Sequence, residues 1–514
     1  MRPLIPRLCF VAGLALLAAP AAALDAVSLP HPAIVGSAEP AGTPWPNDLR
    51  SDPDFGDHNG TARLAAPDRA GFLPQHRAVR VFPWYTPLHG LSGYYLFVRQ
   101  KYEALGWGAW ITRVHINGDV DTAFGSEGWM SIPGVPRSVD DAALAGDRLY
   151  VLRSVAEGST NRAQIQCWSL ATNSDCFPGG PVSLRFNVGT AINAFGRRIL
   201  HDSRYGLLVT ANLRNTTAGN SIGITRLDAT TGAAISTFGT QGFINTAPTW
   251  SSQPRPLASV HDMALAAAGT PGGDDRLYVV GSARTQAAAA DDDGFVHGID
   301  PETGNGIAGW NWQRVSYEAD NPAGAEDDAV TTLTVQRNGR VAVAGWSTHG
   351  STGFQDLILA RFLANGLPDP VFCGGEVCNK SLDYSYMTHP KDNVPVGIAE
   401  RVLNGDLVVL HTDRYPSEPE SQWQMQRLTQ FGASGTREQG RSEFLHAQPL
   451  DRVSAPTALW IGQLGALGYG PEVVVAAGYQ SYNSAVIRPT IAQRISSDYP
   501  NTIFVTGFGH ANND

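Results

Sequence analysis

Ile111-Thr-Arg-Val-His-Ile-Asn-Gly-Asp-Val-Asp-Thr-Ala-Phe-Gly-Ser-Glu-Gly128 is the stretch whose reading decides the fold. It joins the end of an apolar strand to an Asn117-Gly118 turn and then to a Phe-Gly step before the next apolar run. Its opening returns as Ile224-Thr-Arg226-Leu, Leu359-Ala-Arg361-Phe, Met425-Gln-Arg427-Leu and Ala492-Gln-Arg494-Ile. Cys167-Trp-Ser169-Leu and Val296-His-Gly298-Ile are variants, which makes seven copies about 63 residues apart. A repeat of that length marks one supersecondary unit copied along the chain.

Each copy is preceded by a short apolar run: Tyr95 to Val98, Leu149 to Leu152, Leu207 to Val209, Leu277 to Val280, Val341 to Gly345, Leu407 to Leu410 and Val473 to Gly478. These runs are β-branched and aromatic and are bounded by turn signals such as Gly146-Asp147, Asn338-Gly339 and Asn404-Gly405, so they read as buried strands in hairpins. Four strands fit each unit. The first is expected at Ala78 to Trp84, Tyr94 to Gln100, Gly108 to Val114 and Gly125 to Ile132. The last is expected at Pro456 to Gly462, Glu472 to Gly478, Pro489 to Ile495 and Thr502 to Gly509. A four-stranded sheet with two apolar faces must pack against a copy on each side, and radial closure of seven copies gives an all-β fold, a single seven-bladed β-propeller. A solenoid would need a much shorter period, and no sustained 3.6-residue apolar pattern supports helical repeats.

The phrase from Ile111 to Gly128, with its echoes at Ile224 to Gly242 and Leu357 to Gly374, resembles the delta-60 repeat of exported bacterial proteins. That resemblance implies a propeller and export, and it carries no shared catalytic residues.

The 514 residues are 43% apolar and 16% charged, with 55 Gly and 34 Pro. Such a charge content is low for a globular chain, where about 25% is typical, and the Gly excess suits strands and tight turns. The formal charge of −10 argues against nucleic-acid binding, which needs clustered Lys and Arg. Arg2 and Arg7, an apolar run from Leu8 to Ala19 and Ala21-Ala22-Ala23 have the order of a secretory signal peptide, assigned to residues 1–23. No membrane span is expected, and the mature chain is expected to be exported, periplasmic or extracellular, and monomeric. Residues 24–76 are Pro-rich and read as an extended leader lying on the propeller, residues 77–514, or as a flexible linker. Within the leader, Asp52-Pro-Asp-Phe55-Gly56-Asp-His-Asn-Gly60 repeats the Phe-Gly signature and is expected to add a strand to the last blade and help close the ring. In an oxidising compartment the local pairs Cys167 with Cys176 and Cys373 with Cys378 are expected to form disulfides, since their spacing does not suit a zinc site.

The recurring Arg113, Arg226, Arg361, Arg427 and Arg494 are read as blade-building residues that pair with loop groups such as Asp121, rather than as an anion-binding ring. The starts of the innermost strands carry Asp140-Asp141, Asn193, His261-Asp262 and Asp327-Asp328, while units six and seven offer Gly397 and Thr457. Asp141, Asn193, His261, Asp262 and Asp328 are the candidate axial ligand-binding residues. Converging carboxylates could hold a hard cation, with Ca²⁺ the expected ion, and the rival reading has each Asp capping its own turn. No other cofactor is expected. Ser221 in Gly219-Asn-Ser-Ile-Gly223 lacks the strand-then-helix setting of a nucleophile elbow. Asp291-Asp-Asp293-Gly294 reads as a solvated turn, and Trp107, Trp110, Trp310 and Trp312 read as core before they read as a sugar platform. The function expected is an exported binding or scaffold protein presenting a propeller face to a protein or glycan partner. The competing reading is a hydrolase or lyase on a glycan or polyester with an axial carboxylate site.

Overall fold

The computed structural model describes residues 49–51, 56, 61–67, 72–86, 90–102, 106–186, 193–215, 219–249, 257–267, 269–270, 275–284, 292–317, 326–348, 353–379, 392–402, 405–414, 421–428, 443–444, 454–463, 472–483 and 486–496. All of them lie in one compact unit, Gly42–Asp514. They hold no α-helix and form seven antiparallel blades. The innermost strands run in chain order as Phe72–Thr86, Ser138–Ala145, Asn193–Asp202, Ala258–Leu265, Asp328–Val335, Asp392–Glu400 and Ser454–Gln463. Each packs on the next, and the seventh packs on the first.

Seven apolar clusters fill the seven interfaces between blades. The second strand of each blade serves two of them. In Gly90–Tyr102, Leu96 and Val98 face blade seven while Phe97 faces blade two, all fully buried. That double burial explains why these strands read as unbroken apolar runs, and each such side chain contributes roughly 1.5–3 kcal/mol of transfer free energy.

Arg113 and Arg361 brace their own blades. Arg113 Nε donates to Asp121 at 2.7 Å, and Arg361 Nε donates to Asp369 at the same distance. The Arg113 guanidinium lies 4.3 Å from the Trp84 ring centroid and 5.1 Å from that of Phe124, and Arg361 lies 4.6 Å from that of Phe372. Burial would push the Asp121 carboxyl up, but Arg113 and the Ala123 amide hold it below its ordinary value. Arg226 has no acid at the matching place and donates to the carbonyls of Tyr205 and Glu302. The side chains of Arg427 and Arg494 lie outside the described residues.

The Phe-Gly glycines join neighbouring blades. Gly56 N donates to Asn117 O and Gly239 N to Thr303 O, both at 2.7 Å. Gly118 and Gly304 sit at φ +91° and +79° against those same amides, so a Cβ at Gly118 would lie 2.7 Å from Gly56 N. Cys167–Cys176 and Cys373–Cys378 are disulfide-bonded. Trp110, Trp310 and Trp312 are buried in the cores rather than set out as a platform.

Blade seven closes the ring with borrowed strands. Its own Ser454–Gln463, Glu472–Asn483 and Val486–Ser496 are completed by Leu49–Ser51 and Thr61–Arg63, which pair antiparallel with Val486–Ser496. The propeller therefore draws on residues that the sequence assigned to the leader, and the first inner strand starts at Phe72 rather than Ala78. Thr502 to Gly509, the expected fourth strand, lies outside the described residues, as do residues 1–48. A mature chain begun at Ala65 lacks the borrowed strands and the buried Ala62 and Leu64. It should be destabilised by about 3 kcal/mol or more, or fail to fold. Thermal unfolding at an unchanged midpoint would show that closure does not depend on them.

Candidate functional site

Every inner strand carries a register shift of the same kind, between Ala78 and Arg80, Val139 and Asp141, Gly196 and Arg198, Val260 and Asp262, Val330 and Thr332, Pro395 and Gly397, and Pro456 and Ala458. The extra residues are Val79, Asp140, Arg197, His261, Thr331, Val396 and Thr457. A bulge interrupts the ladder and leaves groups without a partner in their own sheet. Here the adjacent blade supplies partners. Thr331 Oγ1 donates to Pro395 O at 2.7 Å, and Thr457 Oγ1 donates to Ala78 O at 2.9 Å. His261 Nδ1 lies 3.1 Å from Val330 O, and Arg99 Nη1 donates to Val139 O at 3.3 Å. Each bond runs from one blade to the next. Because a carbonyl only accepts, His261 carries its proton on Nδ1. Burial, then the charge of Arg197, lowers the His261 pKa to about 4, so the ring is neutral at physiological pH.

The residues after the bulges form a second belt. Arg80 meets Asp141 at 2.5 and 3.0 Å, and Asp141 Oδ2 accepts the Ile199 amide at 3.0 Å. Arg198 stands 3.9 Å from Asp141 and 2.9 Å from Asp262. Asp262 Oδ2 accepts from Thr332 Oγ1 at 3.0 Å and from the Leu333 amide at 3.4 Å. The belt spans blades one to five and ends at Gly397 and Ala458 of blades six and seven.

These contacts divide the five candidate residues. Asp141, His261 and Asp262 share the bulge level. Asn193 and Asp328 are instead the first residues of their inner strands, and Arg197-Arg198 and Thr331-Thr332 hold the places that sequence matching gave them. Asn193 Oδ1 accepts the Asn161 amide at 2.8 Å, and Asp328 Oδ2 accepts the Tyr317 amide at 3.0 Å. None of the aspartates at the bulges caps its own turn; Asp141 and Asp262 staple neighbouring blades. Among the described residues, no group of three His, Cys, Asp or Glu side chains is placed to hold a metal ion. Ser221 lies inside the strand Gly219–Leu227.

A cavity of about 320 Å³ opens on the axis, lined from all seven inner strands. Its lining joins Arg80, Arg198, Asp262 and Thr332 to apolar residues of every blade, Phe82, Leu144, Ile199, Met263, Leu333, Ile398 and Leu459. Of the two belt carboxylates, Asp141 is fully buried behind Arg80, whereas Asp262 lines the cavity beside Arg198. Arg80, Arg197 and Arg198 were not singled out from the sequence. In blades two, four and six the fourth residue of the second-strand run, Leu152, Val280 and Leu410, pairs with the residue after the bulge. Turns of unequal length between the first two strands hide that register.

No protein-family model matches the chain, and no curated protein matches it. Solved structures with a similar fold include the polysaccharide lyase Uly1, at 10% identity over 81% of this chain and 91% of that one, with a TM-score of 0.45. A protein of unknown function from Dyadobacter fermentans is 10% identical over 85% of this chain and 99% of that one, with a TM-score of 0.42. The β-propeller domain of the Trilobed protease from Pyrococcus furiosus is 9% identical over 84% and 99%, with a TM-score of 0.41. Each is a likeness of fold alone.

Burial pushes the Asp328 carboxyl up to about 7, against hydrogen bonds from Ser347 and the Tyr317 amide that favour the charged form. An unfolded aspartate titrates near ~3.9, so between the two values the folded chain holds the extra proton and stability falls as pH rises. Asp140, raised to about 6, acts in the same sense, and His261 acts in the opposite sense. The difference in melting temperature between Asp328→Asn and wild type isolates the one group. It should move in favour of the variant from pH 5 to pH 8, and a difference independent of pH would show that the carboxyl is not held protonated.

Proposed function

We propose that the chain is an exported binding protein that presents the mouth of its axial cavity to a ligand. One observation carries this reading: Asp262, the carboxylate that lines the cavity, and Asp141 beside it are both committed to ion pairs and to backbone amides of neighbouring blades. A glycan or polyester hydrolase or lyase would need one carboxylate free to take or give a proton at substrate. Export is supported by the order of charged, apolar and small residues at the N-terminus and by the two disulfides, which form in oxidising compartments. Among the described residues no helix is long and apolar enough to cross a membrane. The Arg–Asp brace found in blades one and five gives a physical role to the delta-60 pattern that the sequence resembles.

The mature chain incubated with a panel of polysaccharides, polyesters and small acids should show saturable binding that Val396→Trp, which fills the cavity, removes. Turnover above that of heat-denatured protein, abolished by Asp262→Asn at an unchanged melting temperature, would overturn the binding reading in favour of the enzyme.

A further inference from the structure

We infer that the axial cavity takes an uncharged, ring-sized organic molecule, its apolar body held by side chains from every blade and its polar end turned to the belt. This rests on the binding role proposed above and adds the chemical class of the ligand. Charge balance, lining and size carry it.

The belt is electrically closed. Two guanidinium groups, Arg80 and Arg198, stand against two carboxylates, Asp141 and Asp262. Arg80 spends Nε and Nη2 on the two oxygens of Asp141, at 2.5 and 3.0 Å. Asp262 pairs Oδ1 with Arg198 and with the Met263 amide, both at 2.9 Å, and Oδ2 with Thr332 Oγ1 and the Leu333 amide. A charged ligand would shed its hydration in the cavity and meet no counter-charge that is not already paired. To gain one it would have to break an ion pair between blades. An uncharged ligand escapes both costs. Thr332 Oγ1, which gives its only proton to Asp262, keeps lone pairs to which a ligand hydroxyl can donate.

The apolar lining is continuous around the axis. Ile199, Met263, Leu333, Ile398 and Leu459 each follow directly on the belt residue of their own strand, and blades one and two add Phe82 and Leu144. A body seated there leaves water on all sides, which is the favourable term for an apolar ring. At about 320 Å³ the cavity is at the small end of ligand pockets, which run from ~300 to ~1,000 Å³, so it suits a single ring rather than a polymer chain.

The test uses the mature chain and three probes that share one ring, benzyl alcohol, benzoate and benzylammonium, each followed by titration calorimetry. Benzyl alcohol should bind with one site per chain, at least about ten-fold tighter than either ion, with an affinity that does not change with salt and with a negative heat-capacity change. Val396→Trp should remove that binding. Asp262→Asn should shift the selectivity, because it leaves Arg198 without its carboxylate, and benzoate should gain at least about ten-fold over its affinity for the wild type. The ranking of probes on the wild-type chain stands whether or not the variants fold. Benzoate or benzylammonium binding as tightly as benzyl alcohol, or benzyl alcohol binding that fades as salt rises, would overturn the uncharged assignment and leave cavity binding standing. All three probes weakened alike by Asp262→Asn would overturn charge balance as the cause of the selectivity. Benzyl alcohol binding that survives Val396→Trp would overturn its placement in the cavity. No binding of benzyl alcohol at millimolar concentration would overturn the assignment outright, whereas loss of the binding role itself would appear as turnover in the panel described above.

Discussion

A β-bulge at the same depth of every inner strand is the constraint on which the centre of this ring depends. It places one extra residue on each blade where seven strands converge, and interrupts the ladder there. Backbone groups near the axis cannot be left bare without a cost of about 1–3 kcal/mol each, so partners must come from the next blade. Thr331, Thr457, His261 and Arg99 supply donors to carbonyls, and Asp141 and Asp262 supply acceptors to the amides of Ile199 and Leu333. The interlock runs around the ring in one direction.

The electrostatics follow from that geometry. A carboxylate placed to accept a buried amide needs a cation, and Arg80 and Arg198 lie one blade back from Asp141 and Asp262. Such buried pairs are weak evidence for net stability, because desolvation offsets attraction, but breaking one side is costly. Their effect here is positional. Asp141 is drawn into the wall, and Arg80, Arg198 and Asp262 remain at the cavity surface as paired charges, which offsets the negative charge that a count of axial aspartates suggests.

Much of the fold was legible in the sequence because it repeats. Strand runs such as Leu149 to Leu152 are apolar on both faces, the Asn-Gly and Phe-Gly turns mark their ends, and the short Cys spacings leave little choice of partner. Site residues were harder to place. Asp327-Asp328 looks like Asp140-Asp141 in composition, yet it stands at the head of its strand, several residues from the bulge where Thr331-Thr332 sit. Only pairing with the second strand reveals this, and the turn between them is two residues in blade two but eleven in blade four. Arg197-Arg198 carries no such signal, since a guanidinium in a strand usually reads as surface.

The interlock is tested most directly by a double-mutant cycle on Arg80 and Asp141, read by reversible chemical unfolding. Asp141→Asn and Arg80→Gln should each destabilise the protein, with Asp141→Asn costing on the order of 3 kcal/mol and the pair coupled by more than about 1 kcal/mol. Single variants that unfold as the wild type does, or that add without coupling, would contradict the account and return Asp141 to the pool of free axial carboxylates.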